Sequence, residues 1–583
     1  MRVIRNKHRM RLTEAARGIA PCDLAIDNVQ LVNVITGEIY PVTGVDIYDG
    51  VIVRVRMNGE EANAYEHYDG KGNYLVPGFI DCHMHIESTM MIPENFGRAA
   101  VLWGTTTAVT DPHEIANVMG LDGVFFMLDS AEKSPLRIYT LAPSCVPAVP
   151  AVESAGASFD SYDIMRLLEE EKVIGVAEIM DYLGVINNDE RMVTIIDEGE
   201  AANSFLQGHC PGLSGSDLCA YLCGGPVSDH EAREAEELKE KLRMGMHINI
   251  KSSSLSDTVT EFIKGIKDIP VRDYVSLCTD DVHAADLLTT GHINHIVNVC
   301  IEGGIDPIEA IRFGTINAAR ELRFEDCGAI APGYVADLQI VRDLKFKERP
   351  VDVFVAGKRI TPELTLTNNS SYSPKNTVNI PQIKSAESFY IPSRKGEQHL
   401  IFSAARANMR SNQPLKYEEF PIEDGHIVIP DLNKYQFISI VNRYGNGNMT
   451  TLVCSDFHLN KGCIASTISH DSHNMTIVFR DQKDAYVAAT ELERIGGGMC
   501  YVEDGEVKYS LPLPYGGLMS DLEAEVLAPR IKEMEDWMLH ACDDSMLLAI
   551  AILALPVRPG IIITDKGVVR GETLEFVPTR LAM

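Results

Sequence analysis

The stretch GFIDCHMHIESTM, residues 78–90, places two histidines two positions apart inside an apolar run. If the run is a β-strand, side chains at i and i+2 point to the same face, so His83 and His85 can converge on one metal ion. Asp81 shares that face and could orient a ligand. The same spacing also suits two partly buried histidines that fill a core. The pair by itself therefore leaves both interpretations open.

This run is the first of eight short apolar segments that alternate with helical patterns between residues 78 and 325. The eight segments are GFIDCHMH, TTTAVTD, RIYTLAPS, VIGVAEIM, SFLQGH, GPVSDH, MHINIK and YVSLCTDD. Eight strand–helix units over roughly 250 residues have the size and rhythm of a (β/α)8 barrel. We therefore predict an α/β fold in which residues 78–325 form a TIM-like barrel.

The flanks of this segment carry a different pattern. Residues 24–57 alternate apolar and polar side chains between turn residues, which is typical of antiparallel β-structure. A matching pattern returns in GAIAPGYVADLQIV, residues 328–341. We predict a small composite β-sandwich domain built from residues 1–77 and 326–364.

A third region follows a Ser-, Asn- and Pro-rich linker at residues 365–377. Residues 378–583 mix strand patterns such as FISIVN and NMTIVF with helical stretches near 482–495 and 520–540. We predict an additional C-terminal α+β domain.

The composition excludes some classes of partner. The formal net charge of −31 repels phosphate backbones, so we expect no nucleic-acid partner. Thirteen cysteines without a framework spacing favour a reducing, cytoplasmic compartment. The most apolar run, MLLAIAILAL at residues 546–555, is about half as long as a bilayer span. We therefore expect a buried helix there and no membrane partner.

Polar residues stand where the predicted strands end, which is where barrel enzymes carry their chemistry. Glu178 lies in an otherwise apolar strand, and a buried carboxylate must be paired, protonated or metal-bound. The other strand-end residues are His209, His230, Asp280 and Asp281. Each alone suits a satisfied polar residue, and Asp229 and Asp281 also suit helix N-caps.

Taken together with the first pair, these residues predict a metal site. The predicted ligands are His83, His85, Glu178, His209, His230 and Asp280. Imidazole and carboxylate ligands suit Zn²⁺, Mn²⁺ or Fe²⁺. Six ligands exceed what one Zn²⁺ takes, so we predict two ions bridged by Glu178, which would make hydroxide available at neutral pH. Asp280 is the predicted group that accepts and returns protons.

Further polar residues stand near the same rim. His113 and Glu114 follow the second strand and are candidates for substrate binding or proton transfer, although a turn at Asp111-Pro112 with a capped helix explains them equally well. Asp281 and His283 are candidates for the same roles. Two later histidines, His292 and His295, are expected to pack in the core or to support a ligand from behind rather than to bind metal themselves.

Several longer motifs resemble the bacterial adenine deaminases of the amidohydrolase superfamily. They are PGFIDCHMHIESTM, GTTTAVTDPHEIANV, PSCVPAV, GHCPGLSGSDL, SDHEA, CTDDVHAADLLTTGHINH and GAIAPGYVADL, with ASTISHDSHN and LPLPYGGLMSD in the C-terminal region. The HxH motif is generic to the superfamily, whereas the DPHEIANV and HDSHN strings are more specific. The resemblance spans nearly the whole chain.

The resemblance implies hydrolysis of adenine to hypoxanthine and ammonia by a metal-activated hydroxide, with Mn²⁺ or Fe²⁺ favoured and Zn²⁺ possible. It places the six predicted ligands in the metal and catalytic set, with Glu178 and Asp280 as the catalytic carboxylates. The partner would be a small-molecule purine, and we expect a homo-oligomer, namely a dimer. The acid that protonates the purine ring is expected at His113 or Glu114.

The chain departs from the family pattern near the expected pocket. Val282 stands where the family has arginine, and Lys251 with Ser252 replaces an Arg-Glu pair. The alternative functions are therefore an amidohydrolase acting on another aminopurine, or on a cyclic amide or N-acetyl substrate, and a non-catalytic barrel scaffold. A scaffold would be expected to lose ligands, and all six are present. The other zinc deaminase class needs a P-C-x-x-C motif, which the chain lacks.

Overall fold

The computed structural model describes most of the chain. The described ranges are residues 9–57, 59–254, 258–361, 372–404, 415–542, 550–557 and 560–582. Two expectations lie partly outside them, because the predicted linker begins at residue 365 and the predicted buried helix begins at residue 546.

The N-terminal flank forms a short helix followed by antiparallel and parallel strands. The elements are α1 (Arg9–Ala16), β1 (Cys22–Asn33), β2 (Glu38–Tyr48), β3 (Val51–Arg56), β4 (Ala64–Asp69) and β5 (Tyr74–Pro77). Strand β1 pairs with β2 in antiparallel fashion and with β4 and β5 in parallel.

All eight predicted barrel strands are present. They are β6 (Phe79–Met84), β7 (Thr105–Thr110), β8 (Arg137–Ala142), β9 (Val173–Ile179), β10 (Phe205–Gly208), β11 (Ser228–Asp229), β12 (His247–Lys251) and β13 (Val275–Cys278). They form two parallel sheets, β6 to β10 and β11 to β13. Backbone hydrogen bonds join the sheets on both sides, from Val227 to Leu206 and from Asp280 to His83. The predicted α/β barrel is therefore confirmed.

Helices connect these strands on the outside. They are α2 (Pro93–Val101), α3 (His113–Met119), α4 (Leu121–Ala131), α5 (Ser161–Leu168), α6 (Tyr182–Ile186), α7 (Glu190–Ala201), α8 (Gly215–Cys223), α9 (Ala235–Arg243), α10 (Val259–Ile266), α11 (Ala284–Thr289), α12 (Ile293–Glu302), α13 (Pro307–Arg312) and α14 (Ala318–Glu321). Acidic N-caps start several of them; Asp160, for example, forms a reciprocal capping box at α5.

The chain then returns to the first sheet. Strands β14 (Leu338–Val341), β15 (Asp352–Val355) and β16 (Lys358–Arg359) extend it, because β14 pairs with β5 in antiparallel fashion. Strands from both flanks therefore share one eight-stranded sheet, in the order β16-β15-β14-β5-β1-β2-β3 with β4 on β1. Its composite origin matches the repeated sequence pattern.

The C-terminal region is an α+β unit. Its strands are β17 (Glu397–Ser403), β18 (Tyr417–Glu418), β19 (Ile422–Glu423), β20 (His426–Ile427), β21 (Tyr435–Val441), β22 (Met449–Ser455), β23 (Cys463–Ser466), β24 (Met475–Phe479), β25 (Gly498–Glu503), β26 (Glu506–Pro512), β27 (Ile561–Thr564), β28 (Gly567–Arg570), β29 (Phe576–Val577) and β30 (Arg580–Ala582). Helices α15 (Gln482–Ile495) and α16 (Ala524–Ala541) lie close to the predicted positions.

The C-terminal region packs directly on the barrel. One hydrophobic cluster contains Phe96 of α2 together with Tyr501 of β25 and Met534 of α16. The side chain of Asn95 donates to the backbone oxygen of Asp521 at 2.7 Å. The two units therefore share a core. Among the described residues, no helix is long and apolar enough to span a membrane.

Candidate metal centre

The barrel strands bring the six predicted ligands together at one end. His83 lies in β6 and His85 follows it, Glu178 lies near the end of β9, and His209, His230 and Asp280 stand just beyond β10, β11 and β13. All six side chains are buried. Because parallel strands end at the same rim of the barrel, residues far apart in sequence meet there.

Asp280 adopts an uncommon backbone conformation. Its φ is 58°, in the left-handed region that non-glycine residues rarely occupy. Its backbone N–H donates to the His83 carbonyl oxygen at 3.1 Å, and its own carbonyl oxygen accepts from the N–H of His85 at 3.0 Å. These two bonds fasten the end of β13 to the histidine pair, and such strained positions concentrate at functional sites.

Three imidazoles surround one oxygen of Asp280. Oδ1 lies 3.3 Å from Nε2 of His83, 3.3 Å from Nε2 of His85 and 4.0 Å from Nε2 of His230. The rings of His83 and His230 stack with their centroids 4.1 Å apart. The carboxylate and the three rings therefore point at one small volume.

Glu178 divides its two oxygens between different imidazoles. Oε2 lies 2.6 Å from Nδ1 of His209 and 3.2 Å from Nε2 of His230, while Oε1 lies 3.2 Å from Nε2 of His85. Burial alone would raise the pKa of Glu178, but the neighbouring histidines, His209 first, hold it well below its usual range. A charged carboxylate with imidazoles on both oxygens can serve two ions at once.

The ring orientation of His85 tests whether a metal ion fits. Nδ1 of His85 lies 3.0 Å from the backbone oxygen of Asp111, so Nδ1 carries a hydrogen and donates it. In the neutral ring Nε2 then presents a lone pair, and this lone pair faces oxygens of Glu178 and Asp280. Three electron-rich atoms converge, which requires a positive charge between them, either a ring proton or a metal ion. The donor set fits a metal ion.

His83 has the protonation state of a ligand. Burial and the neighbouring His230 lower the pKa of His83 to about 4, so its ring is neutral at physiological pH. A neutral imidazole is the form that binds metal ions.

Lys251 touches the centre from the end of β12. Its ammonium donates to Glu231, and it lies 2.9 Å from Oδ2 of Asp280. Burial alone would lower the pKa of Lys251, but the two carboxylates raise it well above its usual value, so the side chain stays charged. Lys251 therefore contacts Oδ2 of Asp280, while Oδ1 faces the histidines.

Asp81 supports the strand ends. Its oxygens accept from the backbone N–H of His83 at 3.3 Å and from the hydroxyl of Thr279 at 2.5 Å. His292 lies behind it, with Nε2 3.2 Å from Oδ2 of Asp81. His292 thus has the predicted packing role, and Asp81 orients the histidine pair through the backbone.

His113 and Glu114 lie at the start of α3 beside the centre. Nδ1 of His113 is 2.9 Å from Oδ2 of Asp111, and its ring centroid is 4.7 Å from that of His85. The Asp111 side chain also accepts from the backbone N–H of His113 at 3.1 Å. The predicted turn and the predicted rim position therefore occur together.

A cavity of about 380 Å³ opens above the centre. Its barrel wall includes Glu178, His209, Lys251 and Asp280. The opposite wall belongs to the C-terminal region and comprises His470, Asp471, Ile552, Leu555 and Val557. A volume of this size suits a small ligand, and its lining combines many polar side chains with an apolar patch of Ile552, Leu555 and Val557.

The remaining candidates are distributed unevenly. Asp281 lines the cavity and accepts from the Ser88 hydroxyl at 2.5 Å. His283 is buried at the start of α11 and is not among the described residues that line the cavity. Two more residues, Val282 in a hydrophobic cluster and Ser252, are likewise not among the described residues that line the cavity. Of the departures from the family pattern, Lys251 is the one placed in this lining.

Sequence reasoning missed several cavity residues. Glu231 and Arg233 follow His230 in a loop, and the C-terminal region supplies a whole wall. The HDSHN string was a signal for His470 and Asp471, but its partner in the barrel could not be read from local sequence.

Comparisons with known proteins cover the whole chain. The model of the amidohydrolase family matches residues 74–360, and the model of the adenine deaminase C-terminal domain matches residues 414–575. Adenine deaminase 2 of Carboxydothermus hydrogenoformans is 36% identical over 584 residues, covering 98% of this chain and 99% of the relative. Adenine deaminase of Oleidesulfovibrio alaskensis is 35% identical over 576 residues, covering 97% and 98%.

Solved structures are more distant. The β-aspartyl dipeptidase of Fervidobacterium islandicum is 20% identical, with a TM-score of 0.46 over 60% of this chain and 99% of that one. The family assignment therefore rests on the full-length sequence relatives.

Proposed function

Because the chain belongs to the adenine deaminase family of metal-dependent amidohydrolases, we propose that its buried centre hydrolyses adenine to hypoxanthine and ammonia. The observation that carries the proposal is the meeting of four imidazoles and two carboxylates beneath a small cavity. These are the groups that hydrolysis of an exocyclic C–N bond needs.

We propose that the six residues hold two divalent ions, with Glu178 as the shared ligand. The donor set contains nitrogen and oxygen, which favours Mn²⁺ or Fe²⁺ and also accommodates Zn²⁺. Cys145 lies nearby, with its sulfur 3.0 Å from the backbone oxygen of Glu178. Burial raises the pKa of the Cys145 thiol to about 12, and its sulfur contacts the backbone of Glu178 rather than the predicted ligand atoms.

A bound divalent ion would lower the pKa of a coordinated water molecule and make hydroxide available near neutral pH. Asp280 is placed to take the proton that this water loses, because its Oδ1 faces the centre while Lys251 holds Oδ2. Asp280 then returns the proton to the departing amine. Leu555 and Val557 add apolar surface to the lining of the cavity.

The substrate is a small purine rather than a polymer. The cavity has room for one base, and the net charge of −31 opposes binding of a nucleic acid. The expected homodimer and cytoplasmic location stay predictions.

Metal analysis combined with a substrate panel tests this function. Full-length protein is loaded with Mn²⁺, Fe²⁺ or Zn²⁺, and two reactions are measured: ammonia release from adenine and other aminopurines, and ring opening of cyclic amides. We expect adenine to be the best substrate, with hypoxanthine as its product. If another aminopurine releases ammonia, or a cyclic amide is opened, while adenine is not deaminated, the proposed substrate is wrong. No turnover of any of them by metal-loaded protein would contradict hydrolytic function.

A further inference from the structure

A loop of the C-terminal region reaches into the cavity. The HDSHN segment joins β23 to β24, and its first two residues, His470 and Asp471, line the cavity. The backbone N–H of His470 donates to the carbonyl oxygen of Ala551 at 2.7 Å, which fixes the loop against the apolar wall. A residue outside the barrel is therefore held beside the centre.

His470 pairs with a carboxylate of the barrel. Its Nδ1 lies 2.7 Å from Oε1 of Glu114, and both side chains are more than nine-tenths buried. Because Nδ1 faces Glu114, the opposite nitrogen, Nε2, points away from it, and Nε2 has no hydrogen-bond partner among the described residues. A histidine oriented by a carboxylate on one nitrogen presents the other nitrogen for chemistry.

Two contact chains tie this pair to the metal centre. The Ser88 hydroxyl lies 3.5 Å from Glu114 and donates to Asp281, the neighbour of Asp280. On the other side, Oδ1 of Asp471 lies 3.6 Å from Nε2 of His113, whose ring packs against a predicted ligand. His470 thus lines the same cavity as the predicted ligands and is linked to them through intervening side chains on both sides.

The positive charge of His470 in its pair with Glu114 suits a proton donor. Burial alone would lower the pKa of His470, but Glu114, followed by Asp281 and Asp471, raises it to about 9. Both ring nitrogens then carry hydrogen at neutral pH. Glu114 itself is held ionised, because His470 and His473 keep its pKa well below the usual range despite burial. Glu114 is therefore not the acid that protonates the purine ring. Both ring nitrogens of His113 face carboxylates, so neither is directed at a substrate.

We propose that His470 is a catalytic residue, which donates its Nε2 hydrogen to a ring nitrogen of adenine while Glu114 holds its ring in place. This proposal rests on the proposed function, and it moves the ring acid from the barrel loop to the C-terminal region.

Each proton that moves in this reaction has a donor and an acceptor. As the water oxygen bonds to C6, the electron pair of the C6–N1 double bond moves to N1, and N1 takes the proton of His470. The C6–amine bond then breaks, and the amine leaves as ammonia with the proton that Asp280 took from water. The proton that the oxygen loses as the carbonyl forms restores His470. Hypoxanthine keeps the hydrogen on N1, so no further reactant is needed.

A third metal ion is the rival explanation of this cluster. Glu114, His470 and His473 could jointly hold an ion. However, Nδ1 of His473 accepts from the backbone N–H of Ser469 at 3.3 Å, which places the ring hydrogen on Nε2. Nε2 then points a hydrogen, rather than a lone pair, toward Oε2 of Glu114 at 3.9 Å. The geometry therefore favours a hydrogen bond between His470 and Glu114 over a metal ion held by all three side chains.

Two substitutions of His470 test the proposal in metal-loaded, full-length protein. Asn in place of His470 keeps an N–H near Nδ1 for Glu114 but removes the nitrogen that faces the cavity. Gln keeps an N–H near Nε2 that can donate to the ring but cannot transfer a proton. We expect both His470→Asn and His470→Gln to lower kcat for adenine by roughly 10²–10⁴-fold. KM should rise in the Asn variant and change little in the Gln variant.

The control is His540→Asn, at a histidine of α16 that is 46% exposed, and it should leave kcat unchanged. Metal content and the thermal midpoint are measured for each variant. If either His470 variant folds, keeps its metal and retains kcat within threefold of wild type, the proposal is overturned. Loss of metal in both variants also overturns it and favours the third ion. If one variant does not fold, the other decides. Failure of the wild-type protein to deaminate adenine would instead reject the proposed function.

Discussion

Among single residues, Lys251 has the clearest electrostatic role. Its ammonium is buried between Glu231 and Asp280, and its contact with Oδ2 sets the direction of Oδ1. A carboxylate that loses such a partner is free to rotate and to take up a proton, because burial favours its neutral form. Lys251 should therefore position the proton acceptor.

Replacing Lys251 tests this role. We expect Lys251→Met to lower kcat/KM for adenine by about 10–100-fold, the usual effect of removing a partner of a metal ligand. Lys251→Arg keeps the charge and should retain more activity than the Met variant. Steady-state kinetics at a fixed metal content make the comparison. Equal kcat/KM in wild type and Lys251→Met would show that the contact has no such role.

Asp280 itself should be indispensable. Asp280→Asn keeps the size of the side chain but removes the negative charge and the capacity to accept a proton, so we expect turnover of adenine to fall below detection. Circular dichroism should show an unchanged fold. Measurable turnover in a folded, metal-loaded Asp280→Asn protein would remove Asp280 from its proposed role.

At this scale the sequence indicated that the six predicted ligands meet, and it said less about their neighbours. Their meeting could be predicted because each stands at or near a strand end. The partnership of Lys251 with Asp280, and of Glu114 with His470, depends on side chains that meet across the cavity from separate elements. Nothing in their local sequence specifies the partner.

Among the elements, the loop between β8 and α5 joins the barrel to the C-terminal region. The backbone N–H of Ser154 donates to Asp565 at 3.0 Å, and the side chain of Asn474 donates to the Ser154 oxygen at 2.8 Å. Glu153 lies between these contacts and is 1% exposed. Burial, followed by the charge of Asp471, raises the pKa of Glu153 to about 8.

This carboxyl should make stability depend on pH. In the folded protein Glu153 stays protonated up to about pH 8, whereas in the unfolded chain it ionises near the ordinary glutamate pKa of 4.5. Between these values the folded state binds more protons, so the free energy of unfolding falls as the pH rises. Glu153→Gln is neutral throughout and should lack this loss.

We compare the free energy of unfolding of Glu153→Gln with that of wild type at pH 6 and at pH 8. The difference in favour of the variant should be larger at pH 8 by about 1–2 kcal/mol, since one pKa unit corresponds to about 1.4 kcal/mol. Urea unfolding at both pH values measures the difference. Glu170→Gln, at an exposed carboxylate, is the matched control. A Glu153→Gln protein with the pH dependence of wild type would contradict the assignment.

The strand order of the barrel was predictable because apolar runs and helical patterns alternate with a regular period. The residues at which elements begin and end were harder to predict. Helix α9, for example, begins at Ala235, although the helical pattern starts several residues earlier. The residues before it, including Glu231, form a loop that faces the cavity. Tertiary contacts, here with Lys251, override local helix preference at such positions.

In the whole molecule, the barrel and the C-terminal region should unfold as one unit. They share a hydrophobic cluster, and the cavity is built from both. Cooperative unfolding follows when separating two units would expose a common core.

The two tryptophans of the chain report on this prediction, because Trp103 belongs to the barrel and Trp537 to α16. We expect Trp103→Phe and Trp537→Phe, each with one remaining tryptophan, to give the same urea midpoint by fluorescence. Far-ultraviolet circular dichroism of each variant corrects for any change in stability. Two separate midpoints within one variant, one by fluorescence and one by circular dichroism, would indicate independent units.

The pattern of the first sheet recurs after the barrel, and strands from both flanks do share one sheet, whereas the predicted domain limits stay predictions. The docking of the C-terminal region on the cavity could not be predicted, because it depends on distant contacts such as Asn95 with Asp521.

The central claim is that hydrolysis of adenine depends on a centre that holds two divalent ions. The most direct test is to strip the full-length protein with a chelator, add Mn²⁺ in measured equivalents and follow the formation of hypoxanthine from adenine. We predict no activity in the stripped protein and a rise that reaches its plateau at two equivalents per chain. Activity that persists without metal, or that is complete at one equivalent, would contradict the account.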